Sequence, residues 1–274
     1  MNTKIIEIEN LQIALKEINP GAKKTVFFIH GNSGSTHSWD DQLTDSLFSD
    51  YHLIGLDLPG HGDSSAAINP YENYSIPGMG KIMAGTIKKF NLDNPYILVG
   101  FSLGTNVVAE MVPYLKPSGI ALVSSSVIGG DYTLNEAFLD GLDTTVFFSD
   151  EATPESVMRA IQKAFFRQHK KIQDVLINAY KTTKQGFRPT MIKTFQDGVI
   201  SDEIELLKKA GIPVLVVFGQ DEKMANPDYL DKLPFETWKN KVFKFPEAGH
   251  YVQMDQPGKF NELLFEYVRD RFKN

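Results

Sequence analysis

One serine, one histidine and a pair of adjacent carboxylates form the set in this sequence that could do covalent chemistry. The stretch "GFSLG" places Ser102 between Gly100 and Gly104. An apolar run, "YILV", precedes it and a helical pattern, "TNVVAEMV", follows. A strand that turns into a helix without a loop holds its middle residue in a strained conformation, with the side chain exposed, and needs small neighbours. The hydroxyl then lies at a helix N-terminus, where free N–H groups favour developing negative charge. A serine hydroxyl attacks carbonyls only when a base removes its proton. His250, in "FPEAGHYVQMDQP" after the last apolar strand, is the expected base. His30 and His61 stand in glycine-rich loops, where they are expected to shape the backbone. His37, His52 and His169 have no motif around them.

The base needs an orienting acid on its far nitrogen. "VFGQDEKM" offers two after a strand, Asp221 and Glu222, whose side chains should point to opposite faces. The residues alone leave the choice open, and the shorter, stiffer Asp221 is a reasonable candidate. Acyl transfer also requires N–H donors for a tetrahedral oxyanion. The backbone N–H of Leu103, next to the nucleophile, is one. The second is expected from "HGNSGS" (30–35), with Asn32 the best candidate.

Six short apolar runs must position these groups. They are "TVFFI", "YHLIGLDL", "YILV", "GIALV", "IPVLVVF" and "NKVFKF", each running into a glycine-rich or polar turn. Near-continuous apolar strands alternating with helical patterns indicate an α/β fold with a mostly parallel sheet covered on both faces. The alternating "IIEIENLQIALKEI" reads as an antiparallel edge hairpin. Residues 130–194 break the rhythm with helical periodicity alone, and "TPES" offers a Thr153 cap with proline at the first helical position. The expected organisation is a core over 1–129, a helical lid over 130–194 and the rest of the core over 195–274. "PGHGDS" (59–64) is expected to fix a neighbouring turn.

Composition narrows the partners. The net charge of −6 argues against nucleic acid or an anionic membrane surface. There is no cysteine in the 274 residues, which removes disulfides, thiol nucleophiles and cysteine-bound zinc, and suits a reducing compartment. H-E-x-x-H and the glycine-rich dinucleotide and phosphate motifs are missing, so no metal or cofactor is expected. The opening residues lack a signal-peptide apolar core, and no run approaches about 18 apolar residues. A cytoplasmic protein acting on a small molecule is the expectation.

Together these motifs resemble the α/β-hydrolase superfamily over nearly the whole chain, least in 130–194. The resemblance implies the α/β-hydrolase fold, with a mostly parallel central sheet, helices on both faces and a helical lid. It implies nucleophilic hydrolysis by a Ser-His-acid triad. It also bears on the acid. In similar hydrolases that residue stands three positions after the glycine closing the strand, which from Gly219 is Glu222, 28 residues before His250. Dehalogenases and epoxide hydrolases of similar appearance carry aspartate where Ser102 stands.

A narrower likeness exists. "IHGNSGS", "GLDLPGHGDSSAAINPYENYS" and "GQDEKM" resemble the metal-independent N-acyl-homoserine lactonases of this fold. That likeness implies ring opening of an acyl lactone, a quorum-quenching activity, with Phe138, Phe147, Phe148, Phe165, Phe166 and Tyr180 as candidates for an apolar acyl pocket. The chain departs from the pattern near Val157, where those lactonases place a substrate-holding lid tyrosine. A general carboxylesterase is the alternative, followed by a carbon–carbon hydrolase of a dienoate and a non-catalytic, receptor-like ligand binder.

Overall fold

The computed structural model describes residues 3–90 and 93–273. Eight strands form one sheet: β1 (Thr3–Ile8), β2 (Leu11–Ile18), β3 (Thr25–Ile29), β4 (His52–Leu56), β5 (Tyr96–Phe101), β6 (Gly119–Val123), β7 (Val214–Gly219) and β8 (Thr237–Phe245). Their order is β1-β2-β4-β3-β5-β6-β7-β8. The pairs from β4 through β3, β5, β6 and β7 to β8 are all parallel. Only the β1–β2 and β2–β4 pairs run antiparallel. The edge hairpin therefore stands where the alternating opening put it. Its two-residue turn has positive φ at Glu9 (48°) and Asn10 (66°), the geometry whose twist matches the flanking strands.

The unbroken apolar strands feed two cores, because successive side chains point to opposite faces. Phe27, Ile29, Ile54, Leu56, Leu98, Leu122 and Val216 face one core. Val26, Phe28, Leu53, Ile97, Val99, Val123 and Val217 face the other. The helices α1 (Ile76–Lys88) and α2 (Leu103–Met111) cover the first face with Met79, Ile82, Met83, Val107 and Val108. A C-terminal helix, Pro257–Arg271, covers the second with Phe260, Leu264, Tyr267 and Val268.

Between β6 and β7 the chain is helical. Short turns at Leu134–Ala137 and Thr144–Phe148 lead to α3 (Pro154–Lys163), α4 (Lys170–Thr182), α5 (Phe187–Gln196) and α6 (Glu203–Ala210). Thr153 caps α3, its hydroxyl accepting the Ser156 N–H at 3.2 Å. Helix α5 runs to Gln196, two residues beyond the boundary read from sequence. A small third core, with Ala164, Phe165 and Leu176 against Met224 and Met254, seats this segment on the sheet's C-terminal edge. Helix α7 is the Pro257–Arg271 element. Among the described residues no helix is long and apolar enough to cross a membrane.

Candidate active site

Four parallel strands deliver the site, each at its C-terminal end, where open α/β sheets bind ligands. Asn32 follows β3, Ser102 follows β5, Glu222 follows β7 and His250 follows β8. Ser102 adopts φ 50° and ψ −122°, an uncommon conformation for a residue with a side chain. Its neighbours hold it there. The Ser102 N–H donates to Val123 O (2.9 Å), and its carbonyl accepts from the Thr105 N–H (2.8 Å) and the Thr105 hydroxyl (2.6 Å). The flanking glycines are required by space. A Cβ on Gly100 would stand 2.4 Å from Gly104 O, and one on Gly104 would stand 2.4 Å from Ile29 O. The strand, the turn and β3 are thus packed backbone to backbone.

Glu222 and His250 meet. Oε2 of Glu222 lies 2.7 Å from Nδ1 of His250, and both side chains are buried. A carboxylate only accepts, so Nδ1 carries a hydrogen, and in the neutral ring Nε2 keeps its lone pair. Oε1 of Glu222 accepts two backbone N–H groups, Lys223 at 2.9 Å and Met224 at 2.8 Å, which fixes the carboxylate's plane. The Ser124 hydroxyl donates to the His250 carbonyl at 2.6 Å, and the Phe101 ring packs 5.0 Å from the imidazole. Asp221 does something else. Its Oδ2 accepts the Glu247 N–H (2.9 Å) and its own N–H donates to Ala248 O (3.0 Å), so it ties down the loop that carries His250.

A cavity of about 450 Å³ brings Ser102, Leu103, Asn32 and His250 together. That is ample for a small ligand. Phe138, Phe147, Phe148 and Tyr180 line it; Phe165 and Phe166 do not. Phe165 is instead fully buried, stacked on Tyr251 at 4.9 Å, and Phe166 is exposed. Val157 is buried away from the cavity. One turn on, Ala160 and Ile161 reach it with apolar side chains. Tyr180 commits its hydroxyl to Val146 O at 2.9 Å. No lysine or arginine is among the lining residues, whose ionisable side chains are Asp140, Tyr180, His250 and Tyr251. Among the described residues no cluster of three or more His, Cys, Asp or Glu is arranged to hold a metal.

The two loop histidines are structural. His30 donates from Nδ1 to Gly31 O (2.7 Å) and accepts the Leu58 N–H at Nε2 (3.0 Å). His61 donates to Pro59 O (3.0 Å) and accepts the Ser33 N–H (3.1 Å). Burial holds His30 below the usual histidine range and His61 well below it, so both stay neutral and keep an acceptor nitrogen.

Several polar residues at the site carry no motif. Asn106 donates to Glu203 (2.7 Å) and to Ser126 O (2.8 Å) from the cavity floor. Glu203 also accepts the Ile128 N–H at 2.9 Å, and burial pushes its carboxyl up to about 8. Arg188 of α5 is buried, with Nη1 on Asp150 (2.9 Å), Nη2 on Tyr180 O (2.7 Å) and Nε on the Ser33 hydroxyl (2.9 Å). The only signal available in sequence was an arginine on the otherwise buried helical face of Phe187, Met191 and Thr194, which demands an acid partner without naming it.

Residues 24–257 match the family model described as alpha/beta hydrolase fold. A Bacillus subtilis (strain 168) protein provisionally assigned as a 2-succinyl-6-hydroxy-2,4-cyclohexadiene-1-carboxylate synthase is 25% identical, over 95% of this chain and 96% of its own. A bifunctional esterase/perhydrolase of Acinetobacter calcoaceticus is 23% identical, over 95% and 97%. Among solved structures, the N-acyl homoserine lactonase AidH complexed with N-butanoyl homoserine superposes with a TM-score of 0.90. It is 24% identical, covering 100% of this chain and 98% of that one. The family-model match over residues 24–257, together with the strand order above, places the chain in the alpha/beta hydrolase fold family.

Proposed function

We propose that this protein hydrolyses an uncharged carboxylic ester or lactone through a Ser102–His250–Glu222 triad, with an N-acyl-homoserine lactone the favoured substrate. The observation that carries the proposal is the 2.7 Å Glu222–His250 pair, with His250 and Ser102 lining one cavity. His250 Nε2 takes the Ser102 proton as the hydroxyl oxygen bonds to the carbonyl carbon. The N–H groups of Leu103 and Asn32 receive the oxyanion. Leu103 opens α2, where helical geometry leaves N–H groups free. The protonated His250 hands its proton to the leaving alkoxide, which in a lactone stays attached through the ring. Water, deprotonated by His250, then attacks the acyl-enzyme and Ser102 regains its proton. Residues 130–194 act as a lid, and Phe138, Phe147 and Phe148 bear on the acyl chain.

The lining chemistry supports an uncharged substrate. The first relative's name carries a carboxylate, and a dienoate hydrolase would bind one as well. A buried carboxylate needs a paired cation. None of the lining residues is a lysine or arginine. The lactone reading over a general esterase rests on the motif likeness; the 0.90 superposition bears on the fold alone.

The test is steady-state hydrolysis by the purified protein. Short-chain p-nitrophenyl esters, acyl-homoserine lactones of several lengths and an anionic dienoate are compared. Lactone ring opening with kcat/KM of roughly 10⁴ M⁻¹s⁻¹ or more is expected. Ester turnover without lactone turnover leaves the general carboxylesterase. No turnover, with Ser102 unlabelled by a fluorophosphonate, overturns the hydrolase reading.

A further inference from the structure

We propose that Arg188 is a positioning residue that couples seating of the lid to the geometry of the oxyanion-binding loop. The inference rests on the hydrolase reading above, since it concerns the Asn32 donor.

Arginine donates and cannot accept. Arg188 Nε therefore donates to Ser33 Oγ at 2.9 Å. The Ser33 hydroxyl hydrogen must go elsewhere, and it goes to Asn32 Oδ1 at 2.7 Å. With its oxygen so engaged, the Asn32 amide turns its NH₂ to Phe147 O at 3.0 Å. Asn32 is thus held at both ends of its side chain by the helical segment, once through Ser33 and once directly. The backbone here needs such restraint. Ser33 sits at φ 55°, and its N–H is held separately by His61. Among the described residues no hydrogen bond occupies the Asn32 N–H itself.

Arg188 also collects the segment's own parts. Asp150 precedes α3 and takes Nη1. Tyr180 of α4 offers its carbonyl to Nη2 and its ring to the guanidinium face, 3.8 Å away. Asp150 further accepts the Gly186 N–H, which fixes the start of α5. Three pieces of the lid therefore converge on one buried guanidinium whose Nε–H holds the loop of Asn32. When the lid lifts, Arg188 and the Phe147 carbonyl leave together and Asn32 loses both restraints. The donor is aligned only when the lid is seated.

The decisive variant is Ser33→Ala, which cuts the relay without orphaning a charge. Arg188→Met and the double variant accompany it. For each, kcat and KM on a p-nitrophenyl ester, affinity for an alkyl boronic acid mimicking the tetrahedral state, affinity for the product acid, and the melting temperature are measured. A displaced oxyanion donor lowers kcat, so both single variants should lose about 10- to 100-fold in kcat with KM within about threefold. Boronic acid affinity should fall with kcat while product affinity holds. The double variant should be no worse than Arg188→Met alone. Arg188→Met should melt earlier because Asp150 loses its partner, and Ser33→Ala should melt near wild type. Ser33→Ala with kcat within about twofold of wild type, a loss confined to KM, or additive single losses would each overturn the relay. A wild type that hydrolyses no ester and resists fluorophosphonate overturns the hydrolase reading and the relay with it. An active, labelled wild type with an unaffected Ser33→Ala overturns the relay alone.

Discussion

Two close acid–base pairs in this molecule have opposite capacities. At the sheet's edge, Glu222 faces His250 at 2.7 Å. In the helical segment, Asp150 faces Arg188 at 2.9 Å. The lengths are similar and both bases are buried, although Asp150 is partly exposed where Glu222 is not. The difference lies in what remains on the base. Histidine has two ring nitrogens, so pairing one with the acid leaves the other able to take and return a proton. Arginine stays protonated, and its three nitrogens are committed to Asp150, Tyr180 and Ser33. One pair can do chemistry and the other can hold shape. Distance between partners alone does not separate a pair able to do chemistry from a structural one; the unspent valence does.

The largest expected effect lies at the proposed nucleophile. Ser102→Ala should reduce kcat by about 10⁶-fold with the melting temperature preserved, measured by initial rates and thermal denaturation. Retained turnover would mean that the proton acceptor on His250 serves another group. Next comes the acid. Glu222→Gln leaves a group that cannot stabilise an imidazolium, and should cost about 10³- to 10⁴-fold in kcat. Asp221→Asn should cost far less, because Asp221 bonds to the loop through the Glu247 N–H. The reverse ranking would reassign the acid. On the structural side, Arg188→Met and Ser33→Ala should show the smaller kcat losses described above. If they matched Glu222→Gln, the guanidinium would be more than a scaffold.

The remaining effect concerns stability rather than rate. Burial raises the Glu203 carboxyl from 4.5 to about 8, so the folded protein holds a proton that the unfolded chain releases. Its contribution is full below about pH 4.5, falls as pH rises toward 8 and is level beyond. Each unit of such a difference is worth about 1.4 kcal/mol, which places the loss on the order of a few kcal/mol. Denaturant melts between pH 5 and 8 should show this decline in wild type and a flatter curve in Glu203→Gln. Equal slopes would show that the buried carboxyl is already ionised by its bonds from Asn106 and Ile128.

The sheet edge was legible because local chemistry and local geometry coincide there. A glycine is needed on each side of Ser102, a strand must end before the turn, and the strands read as apolar runs of ordinary length. The antiparallel hairpin followed from alternation in the same way. The adjacent Asp221 and Glu222 were half legible. The strand ends at Gly219, so both lie in the turn beyond the pleat, and only the position of the His250 loop says which one turns inward. The aromatics of the helical segment were less legible again. Phe147 and Phe148 line the cavity while Phe165 stacks on Tyr251, yet all three are phenylalanines in helical or near-helical stretches. Helical periodicity marks a buried face without saying what buries it.

What the sequence determined by itself is the order of motifs along parallel strands, since a strained serine turn and the glycines around it admit few neighbours. From this came the fold, the candidate nucleophile and base, and the loop beside them. What only the tertiary structure decided is pairing across long separations. Arg188 and Ser33 are 155 positions apart, and Asn106 and Glu203 are 97 apart. The physical reason is that a buried charge or amide requires a partner but accepts any correctly placed one. Residue type predicts the need, and three-dimensional packing alone selects the group that meets it.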